Sequence, residues 1–452
     1  MIVIKFGGTS VADAAAIDRA ASITRARAAR QPVVVVSALA GTTNALLAIA
    51  DQASRGRLIV ALSGIEELRT RHLHECDALL GAPAARDTGA ELSAMFDELA
   101  HLAEALSVLG DLTPRSRDAI AAYGELLSSA LVHAAFRARE VPVELLDARD
   151  VIATDDHFTR AAPRLDELTR QARERVLPVV RDGRIPLLGG FIGRSAQGVT
   201  TTIGRGGGDY TAALLGAALG AEAIEIWTDV DGMLTADPRV VRGARLIEEI
   251  RFDEAAELAA FGAKVLHPST IAPAVQKGIP VFVLNSRHPE GKGTRITSEA
   301  PRRAVTAVAG KGNVTVVKVH TPRMLFSHGT LRTIFEVFER YRTPVDVVAT
   351  SEVSVSVTTD ESAHLDDIVV ALRAIGDVAV ERSRAIVALV GAGLGDHAAT
   401  MARALGALGS TTVHMIALSA TGINLTLVVD AAALAPAMVA LHQEFFGLER
   451  AA

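Results

Sequence analysis

Six short apolar runs, nearly unbroken and rich in β-branched residues, alternate with longer helical patterns over the first 296 residues. The runs are Ile2–Phe6, Val33–Ser37, Val143–Leu146, Ile185–Leu188, Ile224–Trp227 and Pro280–Leu284. A strand with almost no polar side must be covered on both faces, and the helical stretches between the runs supply the covering. The pattern therefore predicts an α/β fold with a mainly parallel sheet between helices, built from βαβ crossovers. Residues 58–140 read almost wholly as helix, dominated by Leu, Ala, Glu and Arg, and are expected to form an inserted helical subdomain or lid. The polar stretch Thr297–Arg303, which contains Pro301, reads as a linker.

Beyond residue 304 the rhythm changes. Strand patterns at Val314–Val319, Val345–Ala349, Val353–Thr358 and Val378–Glu381 bracket helical patterns near 327–341 and 362–374. A second set follows: Ile386–Val390, a helix near 396–408, Val413–Leu418, Ile423–Val429 and a helix near 431–445. The segment starting Val345-Asp346 lines up with the one starting Val413-His414, 68 residues later, which points to two copies of one βαββαβ unit; one continuous α+β domain with coincidental similarity is the alternative.

Composition narrows the function classes. At roughly 150 residues per domain, 452 residues amount to about three domains, or to one large domain with a smaller partner. A net charge of −6 argues against a nucleic-acid-coating protein. The single cysteine, Cys76, permits no intrachain disulfide and fits a reducing compartment. The N-terminus lacks a basic n-region, and charges or glycines interrupt every apolar run before the roughly 18 residues of a membrane span. The expectation is a soluble cytoplasmic protein without nucleic-acid or membrane partners. His72, His74 and Cys76 do not form a zinc site on a helix, because His74 points away from the other two. No metal ligands are assigned. Of the 46 cationic residues only six are lysines, at 5, 264, 277, 292, 311 and 318. Such a chain partly keeps lysine where a compact ammonium is needed.

Four segments carry candidate chemistry. Lys5-Phe6-Gly7-Gly8-Thr9-Ser10-Val11 turns from strand to helix, where bare N–H groups can approach an anion; a tight turn with a solvent-facing lysine is the alternative. It matches neither the Walker A spacing nor the dinucleotide fingerprint. Ser37–Asn44 follows a buried strand, and its hydroxyls either cap the next helix or face a ligand. In Gly204-Arg205-Gly206-Gly207-Gly208-Asp209, four glycines in five positions exceed the needs of a turn. They lay the main chain bare beside a ligand, with Arg205 able to grip a carboxylate. Asp209 either caps the helix or orients Lys5. The acidic, turn-rich segment from Thr228-Asp229 to Asp237-Pro238-Arg239 suits a ribose and base, or is simply a capped turn. Lys264, after a helix, is either a nucleotide contact or solvated.

Together KFGGTSV (5–11), GRGGGDYTA (204–212), TDV (228–230) and FGAKVLHP (261–268) resemble, in order and over essentially the whole chain, the aspartokinases of the amino-acid-kinase family. The resemblance implies a kinase domain over 1–296, an ACT domain over 313–383, and a discontinuous ACT domain made of 304–312 and 384–450. It implies ATP and Mg²⁺ held mainly by the phosphates, with Lys5 and Asp209 catalytic. Thr43, Glu125, Phe191, Arg205, Gly206, Gly207 and Gly208 fall on the aspartate side. Lys5, Gly7, Gly8, Thr9, Ser10, Thr228, Asp229, Leu234, Arg239, Lys264 and Val265 fall on the ATP side. The C-terminal pair is similar to the lysine-sensitive type, with Met324, Ser327, Val345, Asp346, Thr350, Ser351 and Glu352 as effector residues. A homodimer or larger assembly through the ACT units is implied. Two departures stand out: Tyr123 replaces a histidine before Gly124-Glu125, and Gly208 replaces a serine before Asp209. The rivals are another amino-acid kinase, for glutamate or N-acetylglutamate, and a non-catalytic ACT sensor.

Overall fold

The computed structural model describes residues 1–204, 206–261, 268–325, 328–360 and 363–447. They fall into two compact units, Met1–Met233 with Val265–Ser298, and Leu234–Lys264 with Glu299–Ala452.

Within the first unit, seven strands line up in the order Val143–Leu145, Ile185–Gly189, Pro32–Val36, Ile2–Phe6, Ala223–Thr228, Val281–Asn285 and Thr294–Ile296. Neighbours are parallel until Thr294–Ile296, which runs antiparallel to Val281–Asn285. All six predicted strands are present, with ends displaced by at most two residues. Their side chains alternate between two cores, the reason for the unbroken apolar runs. Ile2, Ile4 and Phe6 join one large cluster with Val34, Val36, Leu187 and Trp227. Lys5, on the opposite face, looks toward the helix Gly207–Leu219. The central Ile2–Phe6 strand lies between Pro32–Val36, the next strand in sequence, and Ala223–Thr228 from far along the chain, so the strand order reverses beside it, and open α/β sheets bind ligands at the C-terminal ends of strands at such a point.

Helices Leu58–Leu79, Ala82–Leu109, Pro114–Ala121 and Tyr123–Ala138 occupy the 58–140 region. They correct the expectation of a separate subdomain or lid. Cys76, Leu92, Phe96, Leu99 and Phe136 belong to the same cluster as Ile4 and Phe6, because each helix turns an apolar stripe onto the sheet or onto its helical neighbours. His72 is fully buried there against Phe96, and burial lowers its pKa to about 4. The stretch Pro114–Ala138 does reach the length and hydropathy of a membrane span, contrary to the sequence expectation, but most of it is buried in the protein.

In the second unit six antiparallel strands form one sheet, ordered Val348–Thr350, Ser354–Thr359, Ala307–His320, Asp377–Val390, Asn424–Asp430, Val413–Leu418. Two βαββαβ copies share its two long central strands. One copy uses residues 314–320 and 377–382 of those strands; the other uses 384–390, with 307–311 as its last strand. Val378–Glu381 and Ile386–Val390, read as separate strands, are thus halves of one. At the seam the register slips between Lys311 and Val314, and Asn313 and Ser383 take positive φ of 58° and 57°. Each copy has its own core, one around Val317, Phe338 and Leu372, the other around Leu389, Leu427 and Leu441. Ala236 and Val241 join the latter core, which is why the 234–264 segment groups with this unit.

Candidate active site

Lys5 sits one residue before the end of its strand, and its ammonium lies 2.6 Å from an Asp209 carboxylate oxygen. The two side chains are only 11% and 12% exposed, so the pair is held out of bulk water and each charge depends on the other. After the strand, Gly8–Val11 makes one 3-10 turn. Gly7 N–H donates to Trp227 O at 2.9 Å, and the buried Ser10 hydroxyl donates to Trp227 O at 3.1 Å and Ser286 Oγ at 2.8 Å. Ser10 therefore enters the site by pinning the turn, while Thr9 is exposed at its outer edge. A Cβ on Gly8 would meet Ala38 O at 2.9 Å, so this glycine allows the loops after the Ile2–Phe6 and Pro32–Val36 strands to touch.

The helix Gly207–Leu219 begins at Gly206, whose φ of 70° suits glycine and which offers no side-chain cap. Asp209 lies in the first turn but bonds Lys5 instead of capping; Gly207 N–H donates to Gly204 O at 3.1 Å, so of the first turn the Gly208 and Asp209 N–H groups are the ones left for an anion among the described residues. A Cβ on Gly208 would approach Ser37 Oγ at 2.9 Å and Lys5 Cε at 3.0 Å; one on Gly207 would approach the Phe191 ring at 2.6 Å. Gly208 is thus no casual replacement for serine: its missing side chain leaves space for Lys5 and Ser37. Arg205 lies outside the described residues.

Glu125 is 4% exposed in the first turn of Tyr123–Ala138. Ala38 N–H donates to its Oε1 at 3.3 Å, and Oε2 is buried without a hydrogen-bond partner among the described residues. Burial raises its pKa to about 8, against the pull of the Ala38 and its own N–H groups and of the Lys5 charge. A carboxyl kept neutral in this way, with one oxygen unspent, is poised to ionise when a cation arrives. Thr43 is half-buried in the first turn of Thr42–Ser54, with Oγ1 3.7 Å from where a Gly124 Cβ would stand. The helix cap there is Gly41, so the loop hydroxyls do not cap. Phe191 takes a φ of 65°, uncommon for an aromatic residue, and is held by its N–H bond to Thr211 Oγ1 at 3.0 Å. The Tyr123 hydroxyl donates to Glu98 at 3.0 Å, and burial followed by that carboxylate raises its pKa to about 12.

Among the residues expected to serve ATP, Thr228 ends its strand half-buried, and its hydroxyl donates to the exposed Asp229 at 3.2 Å. Leu234 and Arg239 belong to the second unit. Leu234 is half-buried and bridges Leu246, and Arg239, with its side chain 87% exposed, grips Asp237. Lys264 and Val265 lie outside the described residues.

Among the effector candidates, Met324 and Val345 pack against the core of the first copy. Thr350, Ser351 and Glu352 form the exposed turn of a hairpin, with Ser351 and Ser354 hydroxyls 2.7 Å apart. Asp346 is bound by Lys311, whose ammonium lies 2.9 Å from both of its oxygens and 2.9 Å from Asp360. The strand expected at Val345 begins only at Val348, since Asp346 and Val347 bond the Thr358 main chain and hydroxyl irregularly. Ser327 is outside the described residues. Sequence reading passed over Lys311 and also Asp118, an acid on the buried side of its helix whose only signal was the apolar company around it.

Residues 1–285 match the amino acid kinase family, and residues 387–445 match an ACT domain. The chain belongs to the amino acid kinase family. It is 37% identical over 455 residues to lysine-sensitive aspartokinase 3 of Escherichia coli, covering 99% of both chains. It is 36% identical to the chloroplastic aspartokinase 1 of Arabidopsis thaliana, covering 98% of this chain and 80% of that one. The crystal structure of E. coli aspartokinase III in complex with aspartate and ADP, an R-state, superposes with a TM-score of 0.84 at 37% identity, covering 99% of this chain and 100% of that chain. The T-state complex with lysine and aspartate also gives 0.84, covering 99% of each. Within the family the chain is an aspartate kinase, a phosphotransferase with a carboxyl group as acceptor.

Proposed function

We propose that the chain transfers the γ-phosphoryl group of ATP to the β-carboxylate of L-aspartate, giving 4-phospho-L-aspartate and ADP, and that lysine inhibits it through the ACT units. The observation that carries this reading is the Lys5–Asp209 pair beside an uncapped helix N-terminus, with the half-satisfied Glu125 carboxyl within reach of the Lys5 charge. The β-carboxylate is ionised at neutral pH, so no base is needed: its oxygen forms a bond to phosphorus as the bond to the ADP oxygen breaks, and the electron pair leaves with ADP. The difficulty is bringing two anions together, and the site answers it with cations and main-chain N–H groups. Lys5 lies against the transferring group and Asp209 holds it there. Glu125 takes the substrate ammonium, Arg205 its α-carboxylate, and Thr43 and Phe191 line the same subsite. Gly7, Gly8, Thr9, Thr228, Asp229, Leu234, Arg239, Lys264 and Val265 serve ATP.

Among the described residues no group of three or more His, Cys, Asp and Glu gathers as a metal cage, and Asp209 is already spent on Lys5. That donor set fits Mg²⁺ carried on the ATP phosphates, where it supplies neutralisation of their charge. We assign the kinase domain to 1–296, the first ACT unit to 313–383 and the second to 304–312 with 384–450, and expect a homodimer or larger assembly through them. Lysine, with Asp346 as ammonium partner and Met324, Ser327, Val345, Thr350, Ser351 and Glu352 around it, is the effector. The test is a hydroxamate assay with ATP, Mg²⁺ and a panel of acidic amino acids, with and without lysine or threonine. Aspartate-dependent hydroxamate formation, suppressed by lysine, is expected. Turnover of glutamate instead of aspartate overturns the reading.

A further inference from the structure

Asp118 is a carboxylate that the proposed chemistry does not use, and it is 1% exposed. A buried carboxylate is retained only where its hydrogen bonds repay lost hydration. Its Oδ2 accepts the N–H groups of Thr159 and Thr202, each at 2.9 Å, and its Oδ1 accepts the Thr202 hydroxyl at 2.7 Å. Burial pushes its pKa up, and those three hydrogen bonds pull it back.

The two segments it joins form the base of the glycine loop. Thr202 ends the strand Thr200–Thr202, and after Ile203 the chain enters the loop at Gly204, which has a φ of 83°. Ile203 N–H donates to Phe191 O at 3.0 Å, and Gly207 N–H to Gly204 O at 3.1 Å, so the position of Thr202 passes to both Phe191 and the helix start. Thr159, from the neighbouring loop, takes a φ of 71°, rare for a β-branched residue. Its carbonyl lies 3.5 Å from where a Cβ on Gly204 would stand. Asp118 itself rides on Pro114–Ala121, and Ala122 N–H donates to its carbonyl at 3.0 Å where that helix hands over to the one bearing Glu125. One carboxylate therefore links the helices that present Glu125 to the loop that presents Gly206–Gly208.

We propose that Asp118 is a positioning residue for the amino-acid substrate, setting the span between the site for its ammonium and the site for its α-carboxylate. The inference rests on the reading above that Glu125 and the glycine loop grip opposite ends of aspartate. An error of about 1 Å in such a span costs up to about a hundredfold in rate, and the ATP-side turn at Gly7–Ser10 makes no bond to Asp118 that would spread the damage.

The test is steady-state kinetics on the full chain with both substrates varied, alongside thermal melting. Asp118→Ala is expected to raise the KM for aspartate by about tenfold or more while the KM for ATP stays within about twofold. Asp118→Asn should return the aspartate KM to within about threefold of wild type, because its carbonyl accepts both N–H groups and its NH₂ donates to the Thr202 hydroxyl. Thr202→Val, which removes only one hydroxyl, should raise it by about threefold and carries the test if the alanine variant does not fold. Folded variants whose aspartate KM does not move, or whose two KM values rise together, overturn the proposal. A wild-type enzyme that makes no aspartyl hydroxamate defeats the functional reading instead, so the two failures are distinct.

Discussion

Among the lysines that sit against carboxylates, Lys5 in the first unit and Lys311 in the second differ in burial. Lys5 faces Asp209 with both side chains about nine-tenths buried; Lys311 faces Asp346 and Asp360 with side chains 21%, 22% and 42% exposed. For Lys311 burial presses the pKa down, and the two carboxylates more than offset it. Its hydrogen bond in turn lowers the pKa of Asp360. The buried pair has no substitute partner, so removing either member leaves an uncompensated charge. The half-exposed cluster can exchange one ammonium for another from solution. The same two chemical groups thus make a fixed buried pair in one place and a more exposed, exchangeable contact in the other.

Four experiments can break or sharpen this contrast. The largest effect is expected from Lys5→Ala: kcat should fall by about a thousandfold or more in a variant that still folds but melts at a lower temperature, because Asp209 loses its partner, and near-normal turnover would remove Lys5 from the reaction. Next is the pH profile of kcat/KM for aspartate. Below about 8 Glu125 is protonated and must lose its proton to accept the substrate ammonium. The value should therefore fall by up to about tenfold per pH unit below that point and level off above it. Glu125→Gln should lower activity and flatten the profile; a profile unchanged in that variant assigns the break to another group. Third, Asp346→Ala should raise the lysine concentration for half-inhibition by about tenfold, with basal turnover intact. Unaltered inhibition would move the effector elsewhere. The smallest change is expected from Lys311→Met, which frees Asp346 and Asp360 for an external ammonium and should lower that concentration by about threefold. Weaker inhibition in this variant would show that Lys311 supports the effector site instead of competing for it.

Part of this was legible before any coordinates. Strands such as Pro32–Val36 declare themselves because burial on both faces removes every polar position, and the run of glycines at 206–208 signals close packing, which the approaches of Gly207 to Phe191 and of Gly208 to Ser37 and Lys5 show. The 68-residue offset between Val345 and Val413 revealed the doubled C-terminal unit. The helical stretch 58–140 was visible as helix but not as core, since an apolar stripe does not say which surface it meets. The pairing of Gly208 with Lys5 and Ser37 was likewise invisible, because a close approach between segments about 200 residues apart leaves no local trace.

Residue order alone settled the buried strands of the first unit, the helical stretches and the inventory of charged groups, because these depend on side-chain periodicity and composition. Tertiary packing alone decided what each charge does: whether Glu125 is neutral, whether Asp209 caps a helix or holds Lys5, and which segments Asp118 joins. The reason is that a carboxyl group's state is set by the water it loses and the donors it meets, and both come from parts of the chain far away in sequence.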